Sequence, residues 1–279
     1  MGTELSTIDQ LKTKLDKKEY REKFIDVLGE KKANGFISNI ISIASNNALL
    51  AKAEPMSIIS AAMVAATLDL SINPAIGQAA IVPYGNQATF QIMRNGLVDL
   101  SMRSGQFRSI VNEEVHEGEL IKKNKFTGEY VFDEDAKVSD KVIGFMASFE
   151  LLNGFRKTLY MSVDECTHHG KRYSQTFKKG FGLWSTDFES MAKKTVLKLL
   201  LSKYAPKSIE MQKALEFDQS AVVDDKPQYI DNQDNFGSAE EIDYESNFEK
   251  VKSDPVAAKL AYAKGEITEE QFNSIGDEK

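Results

Sequence analysis

Apolar residues recur every three or four positions through the first 70 residues. Leu11 and Leu15 are four apart, and Phe36, Ile40 and Ile43 carry the spacing toward Leu50, so residues 6–50 read as helical. Pro55 suits a helix start, and Met56, Ile59, Met63 and Leu70 follow at helical intervals, with Ala61, Ala62, Ala65 and Ala66 allowing close packing. Asn73-Pro74 stops that helix. The pattern then shifts to short apolar runs. AAIVPY and QATFQI flank Gly85-Asn86, which predicts a two-residue hairpin, and Pro83 puts the first strand at an edge or at its own end. A helix is predicted from Met93 to Arg103, with Gly105 beyond its C-terminus. Strands are predicted over 107–117, 129–133, 141–151 and 155–161, the last two joined at Asn153-Gly154. Asp164 is placed to cap a short helix reaching His168.

Residues 170–186 (GKRYSQTFKKGFGLWST) lack a clear period and read as a loop. A helix follows from Asp187 to about Tyr204. Its residues Phe188, Met191, Ala192, Thr195 and Leu199 share one face, while Leu197 and Leu201 lie elsewhere among Lys193, Lys194 and Lys198. Such a helix is expected to be sandwiched, with its lysines on an exposed strip. The whole order of elements predicts an α+β fold, an antiparallel sheet packed against helices with a helical region at the N-terminus. Residues 1–217 are expected to form the core and 218–247, acidic and poor in large aliphatics, a disordered linker. Residues 248–279 would form a small helical docking module, in which LAYAKGEITEEQF reads as two helices broken at Gly265.

The 279 residues are 42% hydrophobic, enough for a sizeable core. No apolar run approaches the length of a membrane span, and MGTELSTIDQ lacks the basic and apolar stretches of a signal peptide, so a cytoplasmic protein is expected. A single cysteine, Cys166, excludes an intramolecular disulfide and a Cys-rich zinc site. Charge changes the picture more. Residues 216–279 carry 17 acidic side chains against six lysines, a net of −11. The whole-chain −7 therefore hides a net of +4 in residues 1–215. Within 171–213, ten cations face only Asp187, Glu189 and Glu210. A basic body with an acidic tail points to an anionic ligand.

Enzyme chemistry finds little support. There is no G-x-x-x-x-G-K-[ST] loop, and Gly180-Phe181-Gly182 is too isolated to be a nucleotide fingerprint. His168 and His169 are adjacent, so their side chains diverge on a helix and cannot chelate as an i, i+4 pair would. No orienting group accompanies Cys166. Asp133, Glu134, Asp135, Asp164 and Glu165 read as turn and helix-start residues. No catalytic residue, metal or cofactor is expected. The stretch 170–184 reads better as a nucleic-acid surface, because Lys171, Arg172, Lys178 and Lys179 alternate with Tyr173, Phe177, Phe181 and Trp184. Cations for phosphates with flat rings for bases are what sequence-tolerant single-strand binding requires.

Two blocks carry a family resemblance. LDLSINPAIGQAAIVPYGNQATFQIMRNGLVDLSMRSGQF resembles the RecT/Redβ family of phage single-strand annealing proteins at Leu68, Leu70, Asn73-Pro74, Val82-Pro83-Tyr84, Phe90-Gln91, Gly96-Leu97 and Arg103-Ser104-Gly105. WSTDFESMAKKTVLKLLLSKYAP is similar to the family's tryptophan followed by Met-Ala-x-Lys-Thr and a basic-leucine helix. The resemblance spans roughly 24–215. Asp69 departs from it where the family often has glycine, and Arg94-Asn95 where an aromatic-Lys pair is more common.

The resemblance implies a twisted sheet backed by helices and a homo-oligomeric ring or helical filament on single-stranded DNA. It implies annealing of complementary strands to a duplex without ATP, in the cytoplasm of a bacterial host carrying the phage or prophage. It also implies a 5′→3′ exonuclease partner and a tail contacting host single-strand-binding protein. On this reading Lys171, Arg172, Lys178, Lys179, Lys193, Lys194 and Lys198 are the candidate phosphate ligands, joined by Arg94 and Arg103. Tyr84, Tyr173 and Trp184 are the candidates for base or sugar. Two other classes remain open: an oligomeric structural or assembly protein whose lysines serve subunit contacts, and a Mg²⁺-dependent nuclease using Asp133, Glu134 and Asp135.

Overall fold

The computed structural model describes residues 6–124, 126–180, 182–223 and 226–229, together with Lys252. The chain divides into one unit from Met1 to Asp231 and a second from Asn232 to Lys279. All the elements that follow belong to the first.

The helical start is broken into three pieces: α1 (Thr7–Leu15), α2 (Lys18–Leu28) and α3 (Glu30–Asn46). Gly29, at φ +75°, makes the turn between α2 and α3, so the 6–50 pattern is a helical hairpin and not one rod. Leu11, Leu15, Phe24, Ile37 and Ile40 are buried and join the core, with α4 (Pro55–Thr67) against them. The Glu54 carboxylate caps α4 by accepting from the backbone N–H groups of Met56 and Ser57, with Pro55 at the first helical position. This helix stops at Leu68, several residues before Asn73-Pro74. Asp69 there takes φ +47°, the left-handed region that favours glycine.

Strands β1 (Ala79–Tyr84) and β2 (Gln87–Ile92) form the expected hairpin around Gly85-Asn86, with Ala79 opposite Ile92 and Tyr84 opposite Gln87. Helix α5 (Arg94–Arg103) follows, ahead of Gly105 at φ +68°. Strand β3 (Phe107–His116) leads to a hairpin of β4 (Leu120–Asn124) and β5 (Glu129–Phe132), then to β6 (Val142–Leu151) and β7 (Arg156–Ser162). The antiparallel order β3-β6-β7 is a second sheet, separate from the one containing β1 and β2. The α+β class holds, with its strands divided among two sheets and a hairpin.

The segment expected to be a loop is largely helical. Helix α6 (Val163–Tyr173) runs five residues past His168, and α7 (Gln175–Lys178) and α8 (Leu183–Thr186) follow as single turns. Ser162, not Asp164, caps α6. Its hydroxyl accepts from Glu165 N–H while the Glu165 carboxylate accepts from Ser162 N–H, a reciprocal capping box. The non-periodic aromatics are ordered by packing on a glycine. A Cβ at Gly170 would lie 2.9 Å from the Trp184 ring and 3.0 Å from Phe177, so the missing side chain lets α7 and α8 close onto α6.

Helix α9 (Phe188–Tyr204) is sandwiched as its two apolar faces require. It packs on β3, β6 and β7 and also meets α5, α6 and α8. Its lysines do not form an exposed strip: Lys194 is 4% exposed, and Lys193 and Lys198 are half-buried. Helix α10 (Ile209–Phe217) then leads into strands that replace the first part of the expected linker. Strand β8 (Ser220–Val223) pairs with β2 at Ser220–Phe90 and with β9 (Lys226–Tyr229), completing the sheet order β1-β2-β8-β9. Asp218, Ser220 and Ala221 are buried. The boundary at 217 therefore moves outward, because a strand on β2 satisfies backbone groups that a linker would leave to water. Residues 230–247 and the 248–279 module, Lys252 apart, lie outside the described residues.

Candidate nucleic-acid interface

The twelve side chains singled out from the sequence fall into two sets. Lys171 and Arg172, in the last turn of α6, and Lys178 and Lys179, at the end of α7, are exposed. Among the described residues no ion pair engages these four. The Arg172 guanidinium lies 5.3 Å from the centroid of the half-buried Tyr173 ring. Both Lys-Arg and Lys-Lys pairs stand on short helical pieces fixed by Gly170 and by the Ser174 hydroxyl, which accepts from Phe177 N–H.

The other cations are committed to the fold. Lys193 pairs with Glu114 of β3. Lys198 is hydrogen-bonded and ion-paired to Asp218, whose side chain is fully out of water and also accepts from Ile92 N–H at 3.0 Å. Burial alone would raise the Asp218 carboxyl; Lys198 and Lys194 outweigh it and hold the group below its ordinary range as a carboxylate. Burial pulls the Lys194 ammonium down, opposed by Asp218 and reinforced by Lys198. Arg94 donates from Nε to Asn112 Oδ1 at 2.8 Å and from Nη2 to the Asn112 carbonyl at 3.2 Å. The buried Asn112 side chain in turn donates to the carbonyls of Met146 and Lys193, so Arg94 joins α5 to β3, β6 and α9. Arg103 donates to the carbonyls of Leu68 and Asp69 and pairs with Asp99, clamping the left-handed end of α4.

Among the aromatic candidates, Trp184 is 7% exposed and packs on Phe177 at 5.6 Å and Phe188 at 5.6 Å. Removing a buried aromatic costs about 3–5 kcal/mol, whereas stacking on one base returns about 1–3 kcal/mol. Core packing therefore wins for Trp184. Tyr173 is half-buried beside His169, with ring centroids 4.6 Å apart. Tyr84 is half-buried at the end of β1, away from these groups in the chain. Phe181 lies outside the described residues.

Sequence reasoning weighed His169 only as a metal ligand or base and counted Lys203 only among the cations of 171–213. His169 and Tyr173 are four apart on α6, and the i, i+4 signal becomes visible once the helix is carried to residue 173. Burial pushes the His169 imidazole down to about 4, reinforced by Lys198, Arg172 and Lys203. Three cations, from α6 and α9, therefore add to the effect of burial on that ring. Cys166, also on α6, is buried, and burial together with Glu165 pushes its thiol up to about 12. The acidic run makes a local turn: Asp133 accepts from Asp135 N–H. Among the described residues no group of three or more His, Cys, Asp or Glu is arranged to hold a metal ion, and no helix is long and apolar enough to cross a membrane.

Comparison with known proteins finds relatives of the chain. The family model described as RecT family matches residues 34–231, a span that ends where β8 and β9 do and not at 217. The Bacillus subtilis (strain 168) protein YqaK, itself uncharacterized, is 44% identical over 236 residues, covering 80% of this chain and 81% of its own. The Escherichia coli (strain K12) protein RecT is 28% identical over 193 residues, covering 61% of this chain and 65% of its own.

Proposed function

The chain belongs to the RecT family, the single-strand annealing proteins of DNA recombination, and on that premise we propose that it coats single-stranded DNA as a ring or helical filament and anneals complementary strands without ATP. The observation that carries this reading is the exposed quartet Lys171, Arg172, Lys178 and Lys179, which stands without acidic partners among the described residues on a framework ordered by aromatics packed around the buried Trp184. Cations held this way neutralise phosphates and reduce repulsion between two strands. Bases left accessible can then test for pairing, and stacking with Watson–Crick bonds drives the product. No bond is made or broken by the protein, which acts here as a binder and not as a catalyst. Lys193, Lys194, Lys198, Arg94 and Arg103 keep the helix and strands behind that surface in place. A phage or prophage setting, a 5′→3′ exonuclease that exposes the strand and a host single-strand-binding protein at the tail belong to the same proposal.

A dye-labelled strand loaded first and its complement added second, without ATP, tests the reading. Faster annealing than in buffer, with a complex that persists only for complementary strands, is expected. Strand binding without acceleration would reduce the protein to a coating factor, and particles formed with no affinity for DNA would favour the structural alternative.

A further inference from the structure

Resting on the annealing reading, we propose that the His169–Tyr173 ring pair, at the junction of α6 with α9, is a stacking platform for one nucleobase of the bound strand, with Arg172 supplying the adjacent backbone phosphate contact. The two rings sit 4.6 Å apart, tilted by 46°, and both are half-buried, so their positions are fixed while part of their surface remains open. Arg172 already lies 5.3 Å from the Tyr173 centroid, and turning from that ring toward a phosphate leaves the ring to a base. Lys171 is its exposed neighbour on α6.

The electrostatics suit this use. Burial, reinforced by the charges of Lys198, Arg172 and Lys203, keeps the imidazole neutral at physiological pH. A neutral ring among cations offers a π-face without adding charge, so the platform contributes stacking and its neighbours contribute charge. Because every base has a π-face, this contact tolerates any sequence, as annealing requires. Trp184, the tryptophan of the same segment, is spent on the core.

The test separates stacking from charge. Full-length wild type, His169→Ala/Tyr173→Ala and the ring-keeping His169→Phe/Tyr173→Phe are titrated with a labelled oligothymidine and with an abasic oligonucleotide of the same length. The alanine pair is expected to bind oligothymidine about 5- to 150-fold more weakly, with little change on the abasic strand. The slope of log affinity against log salt should stay unchanged, since every phosphate-binding cation is kept. The phenylalanine pair should retain most of the wild-type affinity. Equal weakening on both strands, or no change on either in a folded alanine variant, overturns the platform alone. A wild type that binds neither strand overturns the annealing reading and the platform with it.

Discussion

Asp218→Asn isolates the buried charge cluster behind α9. The substitution keeps the shape of the side chain and leaves an oxygen for Ile92 N–H, but it removes the negative charge that Lys198 and Lys194 share. Breaking a buried ion pair by removing one partner costs about 3–5 kcal/mol. Lys198 keeps 32% of its side chain in water and can turn outward to rehydrate, whereas Lys194, 4% exposed, cannot. The destabilisation is therefore expected at the lower end, about 3 kcal/mol. For a unit of this size that lowers the melting temperature by about 6–12 °C, read by circular dichroism at neutral pH. Adding Lys194→Met should restore part of the stability, because the orphaned ammonium is then gone and the two effects are not additive. A melting temperature within about 1 °C of wild type for Asp218→Asn, or strict additivity with Lys194→Met, would refute the reasoning.

At Asp69, held at φ +47°, glycine should be more stable than alanine by about 1 kcal/mol, measured by urea unfolding of Asp69→Gly against Asp69→Ala; both remove the exposed pair with Lys32. His169 makes stability depend on acid. Its imidazole is lowered from 6.5 to about 4 in the fold, so between those values the unfolded chain takes up a proton that the folded one refuses, because the ring is buried and feels the charges of Lys198, Arg172 and Lys203. The contribution is complete above pH 6.5 and is lost as pH falls toward 4; His169→Asn should flatten that window and leave the steeper decline below it, where Asp218 protonates. Cys166, buried and pushed up to about 12, should resist iodoacetamide in the native protein and label only on unfolding; fast native labelling would contradict its placement.

Local signals transferred well from sequence to structure. Gly85-Asn86 and Pro55 each mark the turn or helix start that is seen, and Asn153-Gly154 lies between β6 and β7. The double apolar face of α9 correctly implied a sandwiched helix. What escaped depends on partners far along the chain. LIKKN is too polar to announce β4, which is held by β5. SAVV, in acidic surroundings, becomes β8 because β2 lies open to it. The α6–α8 aromatics have no period, since their order comes from closure on Gly170. The candidate site divided for the same reason. Lys193 meets Glu114, 79 positions earlier, and Lys198 meets Asp218, so equal lysines in the sequence are unequal in the fold. The exposed quartet was legible as a cluster, while the His169–Tyr173 pair was hidden by ending α6 too early.

The central claim is that Lys171, Arg172, Lys178 and Lys179 hold the strand while the committed cations hold the protein. The salt dependence of single-strand binding by the quadruple alanine variant tests it most directly. The slope of log affinity against log salt should become shallower by about 0.7 for each phosphate no longer neutralised, close to 3 for all four, with the melting temperature nearly unchanged. A folded variant that keeps the wild-type slope would contradict the account and move the strand to another face of the molecule.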